Sequence, residues 1–143
     1  MNHLEATKSD CRVSASVAAN ATHSHEIDTI GYEYLSVDVV YGAYSAATSQ
    51  YATVLKLQES DTSGSGQTDI TGYTVTAGAG STTGAKNGAV CRYNVDLRAR
   101  KRYVTVVTTP GNATPVVTAA RLSKAHEMPY NAATAGVNNY VSG

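Results

Sequence analysis

The sequence predicts an all-β chain: a single antiparallel β-sandwich, jelly-roll-like, of about eight strands with extended terminal arms. Three observations predict it. Apolar residues recur with a period of two rather than 3.6. Thr, Ser, Ala, Val and Gly dominate the composition, and such small or β-branched residues suit a pleated sheet. Clusters of Gly, Pro, Asn and Ser punctuate the chain at short intervals, and no repeat of about 20–50 residues is visible.

Arg12–Val17 and Ser24–Ile30 are short strand candidates. Leu35, Val37, Val39 and Tyr41 then alternate with Tyr34, Ser36, Asp38 and Val40, a strand with one apolar face. Tyr51–Glu59 supplies another through Val54, Leu55 and Leu57, and Tyr73–Thr76 a short one. Ala89, Cys91, Tyr93, Val95 and Leu97 alternate with Val90, Arg92, Asn94 and Asp96, the cleanest case. In Tyr103–Thr109 the alternation weakens because Val104, Val106 and Val107 crowd together. That pattern reads as a strand buried on both faces or shifted by a bulge. Thr114–Ser123 closes the series with Val116, Val117, Ala119 and Leu122 apolar.

The punctuation is consistent with this. Asn87-Gly88 signals a hairpin, since a type I′ turn needs positive φ at both central positions. Pro110-Gly111-Asn112 reads as a second hairpin between two valine-rich strands. Residues 60–66 and 77–84 read as flexible Ser/Gly loops. The middle, residues 23–124, forms the sandwich domain. Residues 1–22, polar and without sustained period, form an N-terminal arm. Residues 125–143 form a C-terminal arm that carries Met128, Tyr130, Val137, Tyr140 and Val141 on small residues. Such an arm either packs across its own domain or reaches onto a neighbour. Its only helical signal is a short one around Asn131–Val137.

Composition excludes several function classes. At 143 residues the chain fits one domain with a core that needs no metal or disulfide. Eleven bases balance eleven acids, whereas a free nucleic-acid binder normally carries a basic excess. Ten Tyr with no Phe or Trp point to many half-buried positions, because Tyr carries a hydroxyl that needs a partner. Neither an export signal nor a run of ~18 apolar residues is present. Cys11 and Cys91 are too few for a disulfide framework and read as reduced, mostly buried thiols. Asn20-Ala21-Thr22 and Asn112-Ala113-Thr114 match the glycosylation sequon but read as turn residues.

No enzyme is expected. His23 and His25 share one face of a strand, a spacing that suits metal ligation, yet no third ligand follows from the pattern. They read as solvent-facing histidines at a strand start. His126-Glu127 adds nothing to them, and no serine sits in a G-x-S-x-G elbow. Gly78–Gly84 lacks the Lys-Ser/Thr of a phosphate loop. Glu59 and Asp61 read as a solvated strand end, and no cofactor or metal is implied.

Charge patterning says more. Arg98, Arg100, Lys101 and Arg102 place four cations within five residues, at the mouth of the strand Tyr103–Thr109. Residues 1–61 hold eight acids and three bases, net −5, and residues 62–143 hold three acids and eight bases, net +5. Either acidic strands compensate basic ones within the domain, or the basic end docks on an acidic protein surface or a second copy.

Three segments carry a family resemblance: Asp28–Val40, Leu55-Lys56-Leu57-Gln58-Glu59-Ser60-Asp61, and Arg100-Lys101-Arg102-Tyr103-Val104-Thr105-Val106-Val107. Together they resemble the small head-associated proteins of tailed bacteriophages, over roughly residues 24–125. The resemblance implies a capsid decoration or cement protein, a β-sandwich on the outside of the assembled head that clamps major-capsid subunits. It implies association with other copies as a dimer or trimer. The lack of an export signal fits assembly in the host cytoplasm, and the balanced charge and missing apolar run argue against direct contact with nucleic acid or membrane. Arg98, Arg100, Lys101 and Arg102 are then expected on the capsid-facing or inter-subunit surface, and Tyr130, Val137 and Tyr140 in the arms. The alternative is a carbohydrate-binding or host-adhesion sandwich of a fibre or tail. Sugar sites favour the Trp platforms this chain lacks, and long fibres usually show repeats.

Overall fold

The computed structural model describes residues 7–43, 52–75, 88–126 and 135–138. Eight strands follow in order: β1 (Lys8–Val17), β2 (His23–Asp28), β3 (Tyr32–Tyr41), β4 (Val54–Ser60), β5 (Thr68–Thr74), β6 (Ala89–Asp96), β7 (Tyr103–Thr109) and β8 (Thr114–Ala125). A 3-10 turn, Leu97–Ala99, joins β6 to β7. The strands form two four-stranded sheets, ordered β1-β8-β3-β6 and β2-β7-β4-β5, with every neighbouring pair antiparallel. The chain is therefore all-β and two-layered, consistent with a sandwich.

Only one pair of consecutive strands, β4 and β5, is hydrogen-bonded; every other connection changes sheet. First strand pairs with last, second with seventh, third with sixth and fourth with fifth. These are the pairings of one long hairpin folded about the β4–β5 loop. Two further pairings, β3 with β8 and β4 with β7, roll that hairpin into two layers.

The layers meet over the apolar phase of each alternation. Leu35, Val37, Val39 and Tyr41 of β3 are buried, with Tyr93 and Val95 of β6 and Val116, Ala120 and Leu122 of β8. Opposite them lie Ile27, Leu55, Leu57, Ile70, Val104 and Val106. A polar tie crosses this core: the Tyr41 hydroxyl lies 2.6 Å from Thr108 Oγ1, which in turn donates to the Val54 carbonyl at 3.1 Å. Buried hydroxyls are tolerated when they are paired in this way.

Several expectations change. Pro110-Gly111-Asn112 does not close a hairpin, because β7 lies in one sheet and β8 in the other. Each of these strands already has two neighbours, so the tight turn carries the chain between layers. Asn87 lies outside the described residues, as does the loop at 77–84. β5 and β6, on either side of Asn87-Gly88, belong to different sheets and form no hairpin with each other. Gly88 has φ 144°, and a Cβ there would come within 2.9 Å of the Tyr41 carbonyl oxygen. β7 is buried on both faces rather than bulged, since its registers with β2 and β4 run without a shift. The shifts fall elsewhere, between Ser14 and Val17 and between Lys56 and Gln58.

The β4–β5 loop is tied down rather than loose. The Ser60 hydroxyl lies against the carbonyl oxygens of Thr62 and Ser65 and accepts from the Thr62 amide at 3.0 Å. Glu26 accepts from the Ser63 hydroxyl at 2.6 Å and the Gly64 amide at 2.8 Å. Asn20, in a sequon, sits in a turn at φ 63°, a conformation Asn tolerates well.

Residues 8–17, assigned to the N-terminal arm with Arg12–Val17 as a short strand candidate, form the edge strand β1. An edge strand keeps one face in water, so Cys11, Arg12, Val13, Ala15 and Ser16 are exposed and Val17 alone of the strand is buried. Of the C-terminal arm, residues 135–138 pack on the same domain. Ala135 is buried, and its carbonyl accepts the Ser9 amide at 2.7 Å, covering part of the free edge of β1. Gly136 has φ 69°, and a Cβ there would collide with the Ser9 carbonyl oxygen. Val137 is half-buried; Tyr130, Tyr140 and most of the expected helix at 131–137 lie outside the described residues.

Leu57 and Leu122 have no exposed surface. Replacing either by Ala is expected to cost about 2–5 kcal/mol in urea denaturation, with the slope unchanged. Tyr41→Phe removes only the inter-sheet hydroxyl and should cost about 1 kcal/mol. Val13→Ala on the exposed edge should stay within about 0.5 kcal/mol of the parent.

Candidate functional site

The cation run leaves β6 and enters β7 at the end of the molecule that also carries the β2–β3 and β4–β5 connections. Its first turn is built locally. Asp96 caps the 3-10 turn by accepting from the Arg98 amide at 3.1 Å, and Leu97 is buried beneath it. The Asp96 carboxylate also holds the Arg98 guanidinium, Nε at 3.0 Å and Nη2 at 2.5 Å.

Each remaining cation meets an acid of the same chain. Arg102 grips Asp28 with two parallel bonds of 3.0 and 2.8 Å. Arg100 lies 3.5 Å from Glu59, whose other oxygen accepts the Lys101 amide at 3.1 Å. The Lys101 ammonium lies 3.6 Å from Asp61. Aromatic faces add to this: Arg102 stands 4.9 Å from the Tyr103 ring centre, while Arg98 and Lys124 both face Tyr34, at 5.7 and 5.0 Å. Lys124 also pairs with Glu33 at 3.6 Å. Arg98 thus meets the adjacent Asp96, and the negative partner of Arg100, Lys101 and Arg102 is the chain's own N-terminal half. Five ion pairs join an acid of residues 1–61 to a cation of residues 62–143: Asp28–Arg102, Glu33–Lys124, Asp38–Arg92, Glu59–Arg100 and Asp61–Lys101. All are at least partly exposed, so each contributes little on its own.

The carboxylates respond as their partners dictate. The Arg98 side chain and amide beside Asp96 hold its carboxyl down at about 2. Hydrogen bonds from Arg102 lower Asp28, and those from Ser63 and Gly64 lower Glu26.

A second surface was not anticipated. Cross-strand register aligns Val13 of β1 with Val117 of β8, Val117 with Val40 of β3, and Val40 with Val90 of β6. Four valines therefore cross the outer face of this sheet in one row, with Val13 65% and Val90 66% exposed. The next row holds Cys11, Ala119, Asp38 and Arg92, the last two joined by paired bonds of 2.6 and 2.8 Å. The signal was in the sequence, because Val40 and Val90 occupy the polar phase of their alternations. Reading the phase for its core side alone passes over them.

Between the edges of β5 and β6 lies an open cleft of about 540 Å³, lined by Thr71, Tyr73, Asp96, Arg98, Ala99 and Arg100. The Tyr73 hydroxyl donates to the Asn94 carbonyl at 3.2 Å, and its ring leans on Tyr93 with centres 6.2 Å apart.

His23 and His25 do share a face, but it points inward, leaving them 3% and 5% exposed. The expectation of solvent-facing histidines fails because β2 has its inner side against β1 and β8. They belong to a chain of contacts from Ser14 Oγ to His23 Nδ1 (2.9 Å), His23 Nε2 to Thr118 Oγ1 (3.3 Å), Thr118 Oγ1 to His25 Nδ1 (2.7 Å) and His25 Nε2 to Asp10 (3.3 Å). Among the described residues no cluster of three or more His, Cys, Asp or Glu is placed to hold a metal. Both cysteines are free: Cys11 is exposed on β1, contrary to expectation, and Cys91 is partly buried, with its thiol pushed up by burial and then by Asp38.

No family model matches the chain, and no curated protein matches it.

The Asp96 carboxyl is expected to titrate at about 2 by NMR. Arg98→Ala should return it towards the ordinary value of about 4. Because the folded value is depressed, the contribution of the pair is present above the unfolded carboxyl value and fades as pH falls through the folded one.

Proposed function

We propose that the chain is a capsid decoration, or cement, protein of a tailed bacteriophage, bound to the outside of the assembled head and stabilising contacts between major-capsid subunits. One observation carries the reading. The three segments on which the family resemblance rests converge at one end of the sandwich and are ion-paired to one another, Asp28 to Arg102 and Glu59 to Arg100. The resemblance thus coincides with a physical unit rather than with scattered strands. The first-to-last strand pairing supports reading the sandwich as a jelly roll.

A cement protein needs a rigid scaffold and an adhesive face. Here the ion-paired end is self-neutralised, so it offers a polar, ordered surface rather than raw positive charge. The adhesive centre is the valine row Val13–Val117–Val40–Val90, rimmed by the Asp38–Arg92 pair and Arg121. Apolar centres with polar rims are the usual anatomy of protein interfaces. Arg98, Arg100, Lys101 and Arg102 stand at the other end of the sandwich, beyond the Tyr34–Asp96 end of the β3–β6 ladder. Many weak copies around a shell bind by avidity.

The test is co-sedimentation with undecorated shells assembled from the accompanying major capsid protein. The parent chain should saturate the shells, and a Val13→Glu/Val90→Glu variant should lose at least about tenfold in affinity, equivalent to about 1.4 kcal/mol. Failure of the parent to bind would end the cement reading; unimpaired binding by the variant would end the role of the valine face. A carbohydrate-binding reading draws on the Tyr73–Arg100 cleft, and a glycan array without signal would dismiss it.

A further inference from the structure

Donor and acceptor accounting assigns every proton in the buried chain between β1, β2 and β8. The Asp10 carboxylate only accepts, so the His25 Nε2, 3.3 Å away, carries hydrogen. The His25 Nδ1 is then an acceptor, and the Thr118 hydroxyl donates to it at 2.7 Å in preference to the Arg12 carbonyl at 3.4 Å. The Thr118 oxygen accepts in turn from His23 Nε2–H at 3.3 Å, which leaves His23 Nδ1 to accept from the Ser14 hydroxyl at 2.9 Å. At neutral pH both imidazoles are uncharged and all polar atoms of the relay are satisfied, with every hydrogen directed towards Asp10.

We propose that this relay is an acid-sensitive clasp on the edge strand β1. β1 supplies Ser14 and Asp10, β2 supplies both histidines, and β8 supplies Thr118, so the relay joins the edge of one sheet to the edge of the other. Protonation does not fit the two imidazoles equally. A proton on His25 sits beside Asp10. A proton on His23 sits 3% exposed, with Arg12 and His25 as the charged groups acting on it and the one carboxylate of the relay at the far end. On β7 the residues beside them are neutral, Thr108 opposite His23 and Val106 opposite His25. Burial, followed by Arg12, lowers the affinity of His23 for a proton, and burial outweighs Asp10 at His25.

The sign follows. A histidine that binds protons less well folded than unfolded leaves stability intact above the ordinary imidazole value of about 6.5 and withdraws it as pH falls below. The element that gives way is β1. Among the described residues its outer edge has no strand neighbour, and its Ser9 amide donates to the Ala135 carbonyl, so opening β1 also frees residues 135–138.

Native-state hydrogen exchange on the intact chain, corrected for the intrinsic pH dependence of exchange, tests the clasp between about pH 7.5 and about pH 5. Opening of the β1 amides bonded to β8 should rise at least about tenfold at the lower pH, while amides shared by β3 and β8 change far less. His23→Gln, which cannot charge, should remove most of that rise. An NMR titration of the parent supplies a second readout that needs no variant: His23 should titrate below about 6.5. Equal β1 opening at both pH values, a rise undiminished in His23→Gln, or His23 titrating at or above the ordinary imidazole value would each overturn the proposal.

Discussion

The constraint on which the rest of the structure depends is that the chain changes sheet at every connection but one. A strand in such a molecule cannot choose its neighbour from the adjacent hairpin. Its partner comes from the far end of the sequence, and its inner face must meet the opposite sheet at the same time. The pleat makes this strict, because a shift of one residue would turn Leu35, Val37, Val39 and Tyr41 outward together. Tyr41 adds a check on the fit between layers, since its buried hydroxyl meets Thr108 Oγ1 only when β3 lies correctly over β7. The two register shifts, in β1 and between β4 and β5, fall on edge strands or their pairings, where one flank is unconstrained.

The same constraint explains the electrostatics. β1 to β4 come from the acidic part of the chain and β5 to β8 from the basic part. Rolling the chain brings the acidic strands β2 and β3 against cations of the second half, Arg102 just before β7, Arg92 on β6 and Lys124 on β8. The opposed halves in the sequence are therefore the linear trace of a molecule that neutralises itself when rolled. Individual pairs are exposed and contribute little, but they cost nothing in net charge and disfavour wrong pairings. An alternative that placed β2 against β4, for instance, would bring Glu26 and Asp28 towards Glu59.

Strand existence was legible because period two is a local property. The inner faces of β3, β6 and β8 could be read residue by residue, and the crowded valines of β7 announced a strand covered on both sides. What could not be read was which strands pair. Pro110-Gly111-Asn112 has the composition of a hairpin turn, yet the same tight geometry serves a crossing between layers, and only the neighbours of β7 and β8 decide which it is. β1 was read only over Arg12–Val17 and within an arm, because an edge strand with one wet face shows almost no hydrophobic period. The cations were legible as a cluster but not as partners, since Asp28, Glu59 and Asp61 lie about 40–70 residues away and only the fold brings them near. The outward valines were visible out of phase, but their alignment into one row depends on cross-strand register.

The histidines show most sharply where local reading stops. An imidazole pair at i and i+2 looks the same in sequence whether its face meets solvent or a second sheet. In this chain the outcome depends on Asp10, Ser14 and Thr118, three small polar residues from two other strands. Each is unremarkable alone, yet together they provide the acceptors and donors that two neutral imidazoles require. A purely apolar contact at that position would have closed the gap between β1 and β2 with less dependence on pH. The polar solution ties an otherwise weakly held edge strand to both sheets, and it does so only while the histidines are uncharged. Edge strand, covering C-terminal segment and relay are therefore one unit, joined at β1, and their order rests on the protonation of His23.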